Sequence, residues 1–243
     1  LDFLQKYKSL NKQFMPLKLI VFDMAGTTVH DSDNVHEALI KAFSQFGYEI
    51  DREDANSVMG IPKPVAIRVL LTQKFQLEPS SDDIDAIFRE FEENMLYHYR
   101  TSPDVRPTPF AERTIRTLRK IGAKVALNTG FSSGITSTII ERLDWQDMVD
   151  AWVSADEVER GRPYPDMIKL LMEELEIDDP AHVAKVGDTP ADLQEGTNAG
   201  CGWVIGVTNG SHTREELEPY PHTHLVDDIW QVVNITVDEF THA

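Results

Sequence analysis

Residues 17–29 read Leu-Lys-Leu-Ile-Val-Phe-Asp-Met-Ala-Gly-Thr-Thr-Val. Leu19–Phe22 run without a polar break into Asp23. A short continuous apolar run of this kind suits a strand buried on both faces, as in a parallel sheet. Gly26 then lets the chain turn sharply. Asp23 falls at the carboxyl end of that strand, where open α/β sheets place their ligands.

Beyond Val29 the period changes. Val35, Ala38, Leu39, Ala42, Phe43 and Phe46 have helical spacing, and helical patterns recur at 64–75 and 82–99. No strand pattern stands between Asp31 and Pro103, and Pro103, Pro107 and Pro109 punctuate the end of this region. Alternation then sets in. Helices are expected at 110–121, 135–143, 164–175 (opened by Pro163) and 191–199, and strands at 123–128, 151–154, 182–186 and 203–207. Short helices are expected in the tail to about Val233. Strands alternating with helices predict a parallel sheet covered on both faces. The expected architecture is α/β: a doubly wound, Rossmann-like core at 17–31 and 104–243, a helical insertion at 32–103, and a lead-in at 1–16.

The 243-residue chain carries a net charge of -18. Such a chain repels nucleic acid and anionic membranes, and no lysine–arginine cluster offsets that. No apolar run approaches the ~20 residues of a membrane helix, and residues 1–16 lack the apolar segment of a secretion signal. The single cysteine, Cys201, excludes an internal disulfide and fits a reducing cytoplasm. The four tryptophans read as packing residues. His30, His36, His98, His222 and His224 show no metal-ligand pattern and read as surface or turn residues.

Each expected strand ends in polar chemistry. The first ends at Asp23, the second in Asn128-Thr129-Gly130, the fourth in Gly187-Asp188-Thr189, with Asp192 close behind. Parallel strands bring these ends to one edge. Carboxylates at this density suit Mg²⁺, a hard ion that takes oxygen ligands. Arg162 would offset the charge of a phosphoryl group. Singly, Asp188 and Thr129 read equally well as turn residues or helix caps. Asp23 has no helix to cap.

Together, Asp23-Met24-Ala25-Gly26-Thr27-Thr28, Thr129, Arg162 and Gly187-Asp188-Thr189-Pro190-Ala191-Asp192 resemble the four motifs of the haloacid dehalogenase-like hydrolases. The resemblance implies that the insertion is a cap and that Asp23 is a nucleophile taking up a phosphoryl group. It implies Mg²⁺ held by Asp23, the Ala25 backbone carbonyl and Asp188. It places Thr129 on a phosphoryl oxygen, Arg162 where most members have lysine, and Asp192 behind Arg162 or a metal-bound water. Thr27, Met59, Gly130 and Phe131 are the implied substrate-binding positions.

Position 25 separates the branches. Most phosphatases of the family have there an aspartate that protonates the leaving alkoxide, whereas Ala25 donates nothing. Asp-x-Ala-Gly-Thr is similar to the phosphonatases, which cleave a carbon–phosphorus bond after a cap lysine forms a Schiff base with the substrate aldehyde. Met59-Gly60-Ile61-Pro62-Lys63 has the spacing of that branch's lysine motif. Pro64 disfavours helical backbone at Lys63 and suits a helix start. The helix amino end and a desolvated surround then favour the neutral amine that Schiff-base chemistry requires. Three positions depart from the branch: Ala66 stands for its histidine, Phe131 for its tyrosine and Asp33 for its cysteine. The expected function is a Mg²⁺-dependent phosphonatase-like hydrolase acting on a small phosphonate, dimeric through the cap by resemblance. The alternatives are a phosphatase for a small phosphate ester or acyl phosphate, and a phosphometabolite-binding protein without turnover.

Overall fold

The structure, a computed structural model, describes residues 17–238; the lead-in expected at 1–16 lies outside the described residues. Six parallel strands form one sheet: β1 (Leu19–Phe22), β2 (Lys124–Thr129), β3 (Ala151–Ser154), β4 (Val183–Gly187), β5 (Trp203–Val207) and β6 (His224–Val226). Their order is β3-β2-β1-β4-β5-β6. The chain winds outward on one side of β1, then crosses to the other, so β1 and β4 flank the point where the strand order reverses.

The apolar run behaves as its pattern predicts. Ile20 and Phe22 enter the core on one face, with Ile115, Leu118, Ile135 and Ile139. Leu19 and Val21 enter the core on the other, with Met167, Ile168 and Leu171. Successive side chains of a strand point to opposite faces, so a strand covered on both sides must be apolar throughout.

Five helices follow β1 before β2 begins, and the first four lie in the insertion: α1 (Asn34–Gln45), α2 (Arg52–Asn56), α3 (Lys63–Gln73) and α4 (Ser81–Thr101). The long α4 packs on α1 and α3 and also reaches the core at α6 (Ser133–Leu143). Its Ser80 cap and Asp83 form a reciprocal capping box. The fifth, α5 (Ala111–Lys120), leads into β2; α6 joins β2 to β3 and α7 (Asp166–Glu174) joins β3 to β4, followed by α8 (Pro190–Ala199), α9 (Arg214–Leu217) and α10 (Gln231–Asp238).

Three expectations are corrected, and one short helix is added. The tail holds a strand, β6, as well as helices; at three residues with His224 half-buried it has no apolar run to announce it. The helix expected to open at Pro163 begins at Asp166, and the Arg162–Pro163 peptide is cis. α2, five residues long, is too short to show a period. His36 is buried, not at the surface: its Nε2 lies 3.1 Å from Asn56 Oδ1. The tryptophans do pack, with Trp145 and Trp203 buried and Trp152 and Trp230 against the core.

Candidate active site

A cavity lies over the carboxyl ends of β1, β2 and β4. Its floor is Asp23, Ala25, Thr129, Gly130 and Arg162; Val35, Met59, Gly60 and Lys63 of the helical insertion face them, with Asp31 and Phe131 between. Asp23 leaves β1 as expected. Thr129 ends β2, and its Oγ1 accepts the Phe131 N–H at 3.2 Å. Thr189 caps α8 in a capping box with Asp192, so the turn after β4 fixes both Asp188 and Asp192.

Beneath the floor sits a buried charge cluster. The Arg162 guanidinium places Nη2 2.7 Å from Asp23 Oδ1, Nη1 3.0 Å from Asp192 Oδ1 and Nε 3.1 Å from Glu195 Oε2. Nη2 also donates to the backbone and side-chain oxygens of Asn128, each at 2.7 Å. Lys185 Nζ lies 2.9 Å from Asp192, 3.2 Å from Glu195 and 2.6 Å from Asn128 Oδ1. Asn128 Nδ2 donates to both Glu195 oxygens. Asp192 and Glu195 are three residues apart on α8, so both face this cluster.

Asp188 is held differently. Thr27 Oγ1 donates to its Oδ1 at 2.6 Å, and the Ser211 N–H to its Oδ2 at 2.7 Å. A Cβ at Gly26, where φ is +88°, or at Gly210 would fall 2.4 Å from Asp188 Oδ2. Only glycine admits the carboxylate there. Thr27, expected at the substrate, is buried against Asp188 and does not line the cavity.

The electrostatics follow. Burial pushes the Asp188 carboxyl up to about 7, helped by Asp23 and Asp192. Burial also raises Asp23, against the pull of Arg162. For Asp192 burial works upward too, but Arg162 and Lys185 outweigh it and hold it low. Four buried carboxylates (Asp23, Asp188, Asp192 and Glu195) face two buried cations, Arg162 and Lys185. The excess is two negative charges.

That excess, with the chemistry of the donors, fits a divalent cation. Carboxylate oxygens of Asp23, Asp188 and Asp192 lie within 4.8 Å of one another. Asp192 is already engaged by two cations, which leaves Asp23 and Asp188, with Ala25 beside them, as the oxygen donors a hard ion takes.

Above the floor the chemistry is sparse. Lys63 is the first residue of α3, 3% exposed, with Nζ 5.8 Å from the centre of the Phe91 ring. Burial lowers its ammonium from 10.5 to about 8, while Asp23 and Asp31 pull the other way. The loop that presents it sits close on the core. A Cβ at Gly60 would fall 2.2 Å from Thr189 Oγ1, one at Gly130 3.0 Å from the Ile61 carbonyl, and one at Gly161 2.4 Å from Pro62 Cγ. Met59, Gly130 and Phe131 line the cavity. Asp33 does not, and instead pairs with Arg52 at 2.7 Å.

Sequence reasoning missed Lys185, Glu195 and Asp31. A lysine inside the apolar run 183–187 was a usable signal, because a buried ammonium requires anionic partners.

The haloacid dehalogenase-like hydrolase family matches residues 20–206. The chain belongs to that family. This haloacid dehalogenase-like hydrolase is 32% identical over 246 residues to the phosphonoacetaldehyde hydrolase of Bacillus cereus (strain G9842), covering 94% of this chain and 91% of the relative. Among solved structures, a phosphonoacetaldehyde hydrolase-like protein from Oleispira antarctica superposes with a TM-score of 0.82 at 24% identity, covering 93% of each chain. A protein from Haemophilus somnus 129pt, described as a predicted phosphoglycolate phosphatase, superposes at 0.76 with 19% identity, covering 91% of this chain and 98% of that one. The two superpositions speak for the fold. Among the described residues, no helix is long and apolar enough to cross a membrane.

Proposed function

We propose that this hydrolase cleaves the carbon–phosphorus bond of a small phosphonate bearing a carbonyl group, phosphonoacetaldehyde or a close analogue. One observation carries the reading: the buried amine of Lys63 faces the same cavity as Asp23, beside an Ala25 that cannot protonate a leaving group. Relatives named phosphonoacetaldehyde hydrolase support it.

Lys63, held near pKa 8 by burial, supplies a neutral amine that condenses with the substrate carbonyl. The protonated imine draws electrons from the adjacent carbon. Asp23 attacks phosphorus, and the carbon leaves as an enamine, so no acid at position 25 is required. Arg162 holds Asp23 in place and offsets phosphoryl charge. Thr129 donates to a phosphoryl oxygen. Asp192, paired with Arg162 and Lys185, orients the guanidinium. Water then hydrolyses the aspartyl-phosphate. Mg²⁺ would be held by Asp23, Asp188 and the Ala25 carbonyl, and when bound it neutralises the excess negative charge and draws in the phosphoryl group. Residues 32–103 serve as a cap over a core of 17–31 and 104–238.

Borohydride added during turnover of phosphonoacetaldehyde traps the imine as a stable adduct on Lys63, read by peptide mass spectrometry. Lys63→Ala loses both the adduct and about 10³-fold in turnover of this substrate. Turnover without any adduct, at the same rate in the variant, overturns the proposal.

A second reading, a phosphatase for acyl phosphates, is favoured by Ala66 and Phe131, which leave the carbonyl end without the branch's histidine and tyrosine. Acyl phosphates have good leaving groups and need neither Lys63 nor an acid.

A further inference from the structure

Imine chemistry at Lys63 moves several protons, and the wall around it is nearly devoid of groups that move them. Val35, Met59 and Phe131 carry none, and Ala66 on α3 is buried and inert. Asp23 is the nucleophile and is tied to Arg162. Tyr99 meets the Phe131 ring edge-on, but burial raises its phenol well above the usual value, so it gives up a proton poorly. Among the described residues lining the cavity, one further carboxylate remains, Asp31.

Asp31 sits at the junction between the β1 turn and α1. Its Oδ1 accepts the Asn34 N–H at 2.7 Å and lies 3.4 Å from the Val35 nitrogen. Those contacts fix the side chain against the first turn of α1. Among the described residues, no protein donor reaches Oδ2. Lys63 and Tyr99 both lie within electrostatic reach of Asp31. An aspartate whose one oxygen holds the start of α1 and whose other is free, in a cavity shared with a buried amine, has a use beyond that contact.

We infer that Asp31 is the proton-transfer residue of the carbonyl end, acting on the imine and enamine formed at Lys63. The inference rests on the function proposed above. Lys63 Nζ adds to the carbonyl carbon, and a proton passes from nitrogen to oxygen to give the carbinolamine. The carbinolamine hydroxyl leaves as water with a proton from Asp31, and the nitrogen lone pair forms the iminium. When Asp23 takes the phosphoryl group, the carbon–phosphorus pair becomes the enamine double bond. Asp31, reprotonated from solvent, then protonates the enamine carbon. Hydrolysis of the iminium and of the aspartyl-phosphate returns the two protons.

Asp31→Asn separates this role from the hold on α1, because an asparagine side-chain oxygen still accepts the Asn34 N–H. The melting temperature is expected to hold, while turnover of phosphonoacetaldehyde falls about 100-fold. The rate at which borohydride traps the Lys63 adduct falls with it. Asp31→Ser, which keeps a side-chain acceptor there, gives the same loss. In a Lys63→Ala background, Asp31→Asn costs nothing further, since both residues serve one sequence of steps. Trapping at the unsubstituted rate in Asp31→Asn, or a loss that adds fully to that of Lys63→Ala, overturns the inference. Absence of any adduct in the unsubstituted protein overturns the proposed function instead.

Discussion

Lys185 and Lys63 are both buried, and they stand on opposite sides of one cavity in opposite circumstances. Lys185, beneath the floor, has two carboxylates and an amide oxygen within 3.2 Å. Lys63, above it, has an aromatic ring and apolar neighbours, and among the described residues no carboxylate within ion-pair distance. Burial of a charge is tolerated where partners and hydrogen bonds are complete; otherwise the group moves toward its neutral form. The lower cluster therefore keeps its charges, which suits the proposed hold on a phosphoryl group and a cation. The upper wall draws a lysine toward its neutral amine. One cavity joins a region that fixes charge to a region that disfavours it.

The largest expected effect breaks this contrast at its lower end. Asp23→Asn keeps the shape and the contact with Arg162 but replaces the carboxylate proposed to attack phosphorus. Release of phosphate from phosphonoacetaldehyde, and from acetyl phosphate as well, should fall by about 10⁴-fold or more. Retention of either activity would mean that another group attacks phosphorus.

The next effect is on stability. Glu195→Gln leaves Arg162 and Lys185 with one anion fewer, in a site buried from solvent. Removing one partner from a buried ion cluster costs about 3–5 kcal/mol. Denaturant unfolding should move by that amount, with the denaturant slope unchanged. A shift under 1 kcal/mol would show that the cluster does not depend on complete pairing.

The two regions also differ in how far the sequence announces them. Asp23 and Asp188 were legible because each ends an apolar strand and precedes a turn, and strand ends in a parallel sheet converge by topology. Gly26 was legible as a turn, but its reason, the Asp188 carboxylate 2.4 Å from where a Cβ would stand, lies 162 positions along the chain. Lys63 was legible only through a motif and the proline after it; the ring of Phe91 comes from α4 and no local pattern ties the two. Thr27 was read as facing substrate and instead supports Asp188, because side-chain direction in a tight turn depends on what the turn packs against. Asp31 marks only the end of the first expected core segment, since a carboxylate that holds a helix start looks in sequence like one proposed to move protons. β6 stayed hidden because a three-residue edge strand has no period to detect.

The smallest effect expected is the sharpest test of the upper region, because its sign is opposite to that at Glu195. Lys63 binds its proton with a pKa of about 8 when folded and 10.5 as its ordinary value. Below pH 8 both the folded and the unfolded chain carry the proton, so the folded state bears the whole cost of burying it. Between 8 and 10.5 the unfolded chain binds more protons than the folded one, and stability rises with pH. Lys63→Met keeps the length of the stem and removes the charge. At pH 7 the variant should therefore be more stable than the unsubstituted protein by about 3 kcal/mol, the free-energy equivalent of the shift. By pH 9.5 less than half of that difference should remain. A variant less stable at pH 7, or a gain that does not shrink with rising pH, would mean that the amine is paired where it stands. The contrast with Lys185 would then be lost, and with it the physical reason for a neutral amine at this end of the cavity.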